Sequence, residues 1–448
     1  MGILAAMTTP WTTLYSRHLE SVRQRADHAL ERAGARSVAV YSGGLPMLFL
    51  DDQSYPFKVN PHFKAWVPVT DNPDSLVFYT PGSRPVLLFN QPVDYWYKSA
   101  SLPDAYWVRE FDLRPVPSLA DARKHLPASL ADVAFVGEMT PELASWKFGH
   151  ANPAALLDSL HYARAAKTPY EIACMYEASR RGAHGHRAAE RTFRDGGSEY
   201  DAHMAYLAAC GQREEEMPYN NIVAYNQNAA VLHYQHLERA APPERNSFLI
   251  DAGASYHGYA SDITRTHAAR ADEFARLVQR FEAMQQELCA AVKPGTDWRE
   301  FQMLAHRRIA GVLREADVIR VDAQAAVESG LSNVFFPHGI GHLLGLQVHD
   351  VGGFMRDESG ATIAKPEGQP NLRLTRKLEP GFVVTVEPGM YFIDQLLDKA
   401  RAQPLGRDIN WQRVEALRPF GGIRIEDDIV VTDAGHRNLT REAFAATA

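Results

Sequence analysis

Apolar and polar positions alternate along this chain in two textures. Residues 14–33 carry leucine and valine at helical spacing among many charges, which predicts an amphipathic helix. Short apolar runs follow at Ser37–Tyr41, Leu76–Tyr79 and Pro85–Phe89, separated by turn clusters such as Gly43-Gly44 and Pro81-Gly82. Helix and strand signals in alternation predict an α/β first domain. Near residue 160 the texture changes. Thr168-Pro169-Tyr170-Glu171 carries three agreeing helix-start signals: threonine as N-cap, proline at the first helical position, and glutamate as capping-box partner. The expected division, placed just before it, is 1–160 and 161–448.

Beyond the boundary the pattern predicts helices over about 169–193 and 199–210, then strands at 222–225, 247–251 and 258–266. A helix over about 271–292 sets Phe274, Leu277, Val278, Phe281 and Leu288 on one face. The next opens at Asp297, with Glu300 as the expected capping-box partner. The C-terminal stretch, including Phe382–Val386 and Gly422–Val431, reads as a curved antiparallel sheet. Helices on one face of a mostly antiparallel sheet make the second domain α+β.

A chain of 448 residues exceeds what one hydrophobic core usually organises, which supports two domains. The net charge of −7 argues against a binder of phosphate backbones, so no nucleic-acid partner is expected. Cys174, Cys210 and Cys289 lie far apart, which excludes a disulfide scaffold and fits a reducing compartment. The apolar opening Met1–Met7 is too short for a secretory signal, and Ala6 stands where a myristoylation signal needs serine or threonine. No apolar run reaches membrane-spanning length, so no membrane partner is expected. A soluble cytoplasmic protein follows.

Acids and a histidine stand at strand ends. Asp251 closes the run Phe248-Leu249-Ile250 and is followed by Ala252-Gly253-Ala254, small residues that leave room for a ligand. Taken singly, such an aspartate is more often a turn cap. Asp262 follows in Gly258-Tyr259-Ala260-Ser261-Asp262, where glycine lets the chain fold back and bring both acids to one face. In His338-Gly339-Ile340-Gly341-His342 the two histidines have the spacing of a helical zinc motif, but the glycines oppose a helix and the H-E-x-x-H glutamate is missing. Glu387 ends Val383-Val384-Thr385-Val386 and is stopped by Pro388-Gly389. Arg424 and Glu426 share a strand face in Ile423-Arg424-Ile425-Glu426, where the plain alternative is a solvated ion pair.

As a set, two aspartates, two glutamates and one histidine are hard oxygen donors plus an imidazole, suited to Mn²⁺, Co²⁺, Fe²⁺ or Zn²⁺. Four carboxylates balance two divalent ions, and two metals about 3.5–4 Å apart polarise a carbonyl and hold a water-derived nucleophile. No phosphate loop, serine elbow or dinucleotide fingerprint competes.

These segments resemble the pitta-bread metallopeptidases, the fold shared by methionine aminopeptidase, aminopeptidase P and prolidase. The resemblance implies Asp251, Asp262, His342, Glu387 and Glu426 as ligands, with Asp262 and Glu426 bridging and Glu387 also the general base. Phe336–His342, Leu346–Gly353 and Val386–Asp394 are similar to the prolidases (Xaa-Pro dipeptidases). In the first domain, Leu50–Phe63 resembles the bacterial prolidases also called organophosphorus acid anhydrolases. The resemblance implies two metal ions per subunit, Mn²⁺ foremost, and hydrolysis of dipeptides ending in a trans-prolyl residue. It implies that His233 bonds the substrate or a leaving group, that His349 stabilises the tetrahedral intermediate, and that Arg373 grips the C-terminal carboxylate. Tyr219, His338 and Arg424 are expected around the substrate pocket. A homodimer is implied, its first domain serving oligomerisation and walling the substrate pocket. The alternatives are an aminopeptidase P acting on longer peptides, a slower side activity on organophosphate triesters, and an inactive binding module of the same fold.

Overall fold

A computed structural model describes residues 9–447; the opening stretch Met1–Met7, considered above for targeting signals, lies outside the described residues. The chain divides into two compact units between Cys174 and Met175, and the short segment Arg356–Ala361 groups with the first.

The first unit is built on a six-stranded mixed sheet of order β4-β3-β2-β1-β5-β6. Its strands are β1 (Ser37–Tyr41), β2 (Leu76–Tyr79), β3 (Val86–Asn90), β4 (Asp112–Val116), β5 (Val133–Val136) and β6 (His150–Ala151). β1 and β5 are buried at every residue and sit centrally, as continuous apolar runs should. β3 starts at Val86 and not at the expected Pro85, because proline has no N–H to give the ladder. Helix Trp11–Ala33 buries Leu14, Leu19, Val22 and Leu30, and ends at Gly34 in the left-handed conformation. The capping box forms as expected: the Thr168 amide donates to the Glu171 carboxylate at 2.8 Å, and the Glu171 amide to Thr168 Oγ1 at 3.4 Å.

In the second unit, β7 (Ile222–Tyr225), β8 (Ser247–Asp251) and β11 (Thr264–Ala268) form an antiparallel sheet of order β11-β8-β7. The expected single strand over 258–266 breaks into a small hairpin, β9 (Ser255–Tyr256) with β10 (Tyr259–Ala260), and then β11. The break falls where the Asp262 amide turns out of the ladder to the Asp428 carboxylate at 3.1 Å. Strands β12 (Val383–Val386), β15 (Asp427–Thr432) and β16 (Gly435–Asn438) form a second antiparallel sheet, and β13 (Gly389–Tyr391) pairs with β14 (Gly422–Arg424). A bridge between Thr264 and Glu426 joins the first of these sheets to the C-terminal strands. Helix Glu273–Ala291 buries its predicted face of Phe274, Leu277, Val278, Phe281 and Leu288. Asp297 caps helix Trp298–Glu315 through the Arg299 amide, and its carboxylate pairs with the Arg299 guanidinium in place of the expected Glu300 box. The three cysteines are buried and form no disulfide. Among the described residues, no helix is long and apolar enough to cross a membrane.

Candidate active site

Strand register assembles the acids. Asp251, the last residue of β8, lies opposite Thr264 at the start of β11, and Thr264 bridges in turn to Glu426. Paired positions share a sheet face, so Asp251 and Glu426 flank one threonine. That threonine donates its hydroxyl to the Glu426 carboxylate at 2.6 Å. The histidine loop is stitched to β12 from the other side. Thr385 N donates to the His342 carbonyl at 3.0 Å, His342 N to Thr385 Oγ1 at 3.2 Å, and Glu387 N to the Ile340 carbonyl at 2.9 Å. Gly341 permits this closeness: at φ 157° a Cβ there would meet the Thr385 carbonyl oxygen at 2.0 Å. The glycines that argued against a helix are thus what lets His342 reach the acids.

His342 Nδ1 faces the Leu343 carbonyl at 2.9 Å, an atom that can only accept. Nδ1 therefore carries a proton, and Nε2 faces Asp262 Oδ2 (3.3 Å) and Glu387 Oε1 (3.6 Å), the nitrogen left to ligate a metal once its own proton is lost. Asp262, His342 and Glu426 bring ligand atoms within 4.8 Å of one another. Such a donor set calls for a cation. Burial, followed by the Asp262, Glu387 and Asp251 carboxylates, pushes Glu426 well above the usual carboxylate range. Burial likewise raises Asp251, against the pull of Arg424, and lifts Glu387 to about 7. Burial also opposes ionisation of Asp262, but the hydrogen bond with His342 prevails and its pKa is lowered. Burial disfavours charged His342 too, yet Asp262 and Glu387 outweigh it and raise its pKa to about 9. Negative charge is thus crowded around one imidazole in a site that fits divalent metal.

The rest of the site lines a cavity of about 980 Å³, in which all eleven expected site residues take part. The Tyr219 hydroxyl lies within hydrogen-bond distance of both Asp251 (2.8 Å) and Asp262 (2.6 Å), with one proton to share between the two acids. Arg424 reaches Asp251 at 2.8 Å and the Tyr391 hydroxyl at 2.9 Å, while His338 Nε2 meets the same hydroxyl at 2.8 Å. His349 packs edge-on against His342 with ring centres 4.4 Å apart, and burial lowers its pKa to about 3. His233 and Arg373 are exposed on the cavity wall. Sequence reasoning missed Thr264, Thr385, Tyr391 and Asp428, which hold the acids and their partners from behind. Only the position of Thr264 and Thr385 beside acids at strand ends could have marked them.

Residues 13–162 match the N-terminal domain of Xaa-Pro dipeptidases, and residues 173–433 match metallopeptidase family M24. The chain is 51% identical to a Xaa-Pro dipeptidase of Stenotrophomonas maltophilia over 434 residues, 97% of this chain and 98% of that one. It is 48% identical to a Xaa-Pro dipeptidase of Aeromonas hydrophila over 435 residues, 97% of this chain and 99% of that one. A solved aminopeptidase P from Escherichia coli with the inhibitor Pro-Leu shares the fold, with a TM-score of 0.73 at 23% identity over 96% of this chain and 98% of that one. An α/β first domain joined to a pitta-bread catalytic domain is therefore the architecture, and the chain belongs to the Xaa-Pro dipeptidase family of the M24 metallopeptidases.

Proposed function

We propose that this enzyme is a dinuclear-metal dipeptidase that hydrolyses Xaa-Pro dipeptides ending in trans-proline. Its proposed ligands are Asp251, Asp262, His342, Glu387 and Glu426. The observation that carries the reading is the convergence of Asp262, Glu387 and Glu426 around the His342 imidazole, in a chain half identical to Xaa-Pro dipeptidases. When bound, two divalent ions, proposed as Mn²⁺, would polarise the scissile carbonyl and acidify a water.

Glu387 takes up the proton of the attacking water at a carboxylate oxygen and returns it to the prolyl nitrogen as the C–N bond breaks. His349, neutral at pH 7 because of its burial, donates one N–H to the carbonyl oxygen as negative charge develops there. Arg373 pairs through its guanidinium fork with the substrate's C-terminal carboxylate, which limits the length of peptide accepted. His233 contacts the substrate from the opposite loop. Tyr219 and Arg424 hold the acids, and His338 with Tyr391 closes the pocket wall. An Xaa-Pro bond has no N–H, and this arrangement asks for none.

The first unit is the proposed dimer surface and the wall of the partner's pocket. Its loops after β1 and β3 leave the same end of the sheet, since both strands run antiparallel to β2 between them. They expose Phe49, Leu50, Tyr95, Trp96 and Tyr97, each more than 70% accessible, an apolar surface that a second copy would cover. Light scattering is expected to give twice the 50.0 kDa chain mass, and a single-chain mass overturns the dimer. A cytoplasmic setting is proposed from three cysteines that form no disulfide. Phosphotriesters are proposed as slower alternative substrates, and equal efficiency on them would overturn that ranking.

The test of function is hydrolysis of Ala-Pro, Leu-Pro, Leu-Leu and Ala-Pro-Ala by metal-stripped protein, with and without Mn²⁺. Metal-dependent cleavage confined to the Xaa-Pro dipeptides is expected. Cleavage of the tripeptide as well would move the reading to aminopeptidase P, and silence across the series would leave a binding module.

A further inference from the structure

The loop that carries His233 is held in place by a buried residue outside the cavity. Residues 226–238 follow β7, and two residues near their ends, Asn226 (φ 54°) and Leu237 (φ 53°), are left-handed although neither is glycine. Surrounding contacts must impose such conformations. Asn226 supplies its own: its Oδ1 accepts from the Asn246 amide at 2.7 Å and the Ser247 amide at 3.2 Å, and its Nδ2 donates to the Glu244 carbonyl at 2.6 Å.

Glu199, 1% exposed at the start of helix Glu199–Cys210, gathers the remainder. One carboxylate oxygen accepts from the Tyr225 amide (2.8 Å) and the Asn228 side-chain amide (2.9 Å). The other accepts from the Tyr234 hydroxyl (2.8 Å) and the Glu238 amide (2.9 Å). The Tyr200 amide adds a bond to the Glu238 carbonyl at 3.1 Å. Every group facing the carboxylate is therefore a donor, and the donors are spread from one end of the loop to the other. Tyr234 turns inward to this anchor, while its neighbours Leu232, His233 and Gln235 line the cavity. Among the described residues His233 makes no hydrogen bond or ion pair of its own, so the loop frame decides where its ring stands.

We propose that Glu199 is a positioning residue for His233: its four accepted hydrogen bonds fix the 226–238 loop so that the imidazole faces the substrate. The proposal rests on the reading of His233 as a substrate contact. A glutamine at 199 would turn an NH₂ group toward two of the four donors, and the loop would have to rearrange.

A double-mutant cycle on the full-length, Mn²⁺-loaded enzyme tests this, with kcat/KM on Ala-Pro as the readout. Glu199→Gln is expected to lower kcat/KM on the order of 10²-fold, as misplacement of a substrate-contacting group does. Tyr234→Phe, which removes one charge-assisted hydrogen bond, is expected to lower it about tenfold. Both losses should vanish in a His233→Ala background, and calorimetric Mn²⁺ affinity should be unchanged throughout. Should Glu199→Gln fail to fold, Tyr234→Phe carries the same test. Losses that persist undiminished without His233, or wild-type turnover in Tyr234→Phe, overturn the positioning role. Wild-type turnover in His233→Ala alone overturns the substrate-contact reading, and the positioning role with it.

Discussion

Asp262 and Glu426, in the lining of the cavity, are 5% and 2% exposed. Asp262 accepts from Tyr219, its amide is held by Asp428, and Glu426 accepts from Thr264. In the same lining, Arg373 and His233 stand exposed, with no hydrogen bond or ion pair to a described residue. The acids are fixed before any ligand arrives, at the expense of crowding charge that burial opposes. The cation and the imidazole keep their hydrogen-bonding capacity open for a partner from outside. The difference separates the residues proposed to bind metal from those proposed to bind substrate, and the two groups should fail in different ways when altered.

The largest effect is expected at the buried acids. Asp262→Ala or Glu426→Ala should lower kcat/KM by roughly 10³-fold or more, since several kcal/mol of transition-state stabilisation are lost there. Circular dichroism should show a folded chain, and normal turnover in either variant would erase the contrast. Among the exposed residues, Arg373→Ala should raise KM for Xaa-Pro dipeptides by roughly 10–100-fold, the worth of a charge-assisted pair, with kcat little changed. Unchanged KM would return Arg373 to a plain surface arginine.

A third prediction sharpens the contrast through pH. Burial lifts Glu387 to about 7 in the metal-free fold, above the usual glutamate value near 4.3. A raised carboxyl pKa means the folded state binds the extra proton, so this residue's contribution to stability falls as pH rises through that window. In chelator, Glu387→Gln should therefore melt progressively higher than wild type between about pH 4.5 and 7, by a few degrees, and level off above. A constant difference across that range would show that burial does not set the acid's charge. The smallest effect is expected in the first unit. Thr168→Ala should cost about 1 kcal/mol of stability by removing an N-cap and leave kcat/KM unaltered, as read by thermal melting beside the assay.

The strand-end positions of Asp251 and Glu387 were legible in the sequence because each follows an apolar run: Asp251 closes β8 and Glu387 follows β12. Thr168-Pro-Tyr-Glu was legible because its helix start is local. What stayed hidden depends on contacts across strands. Thr264 reads as an ordinary β-branched residue until register sets it between Asp251 and Glu426. The break within 258–266 was hidden because its cause, Asp428, lies far along the chain. Tyr391 gains meaning only when Arg424 and His338 meet at its hydroxyl. Glu199 reads in the sequence as one more first-turn acid of a helix, and three of its four donors come from a loop that no periodicity describes.

The most direct test of the central claim is a calorimetric titration of metal-stripped enzyme with Mn²⁺, each point assayed on Ala-Pro. Two ions per chain should bind, and hydrolysis should rise with occupancy to a plateau at the second. Binding of one ion or none at full activity, or full activity in the stripped protein, would contradict a dinuclear dipeptidase.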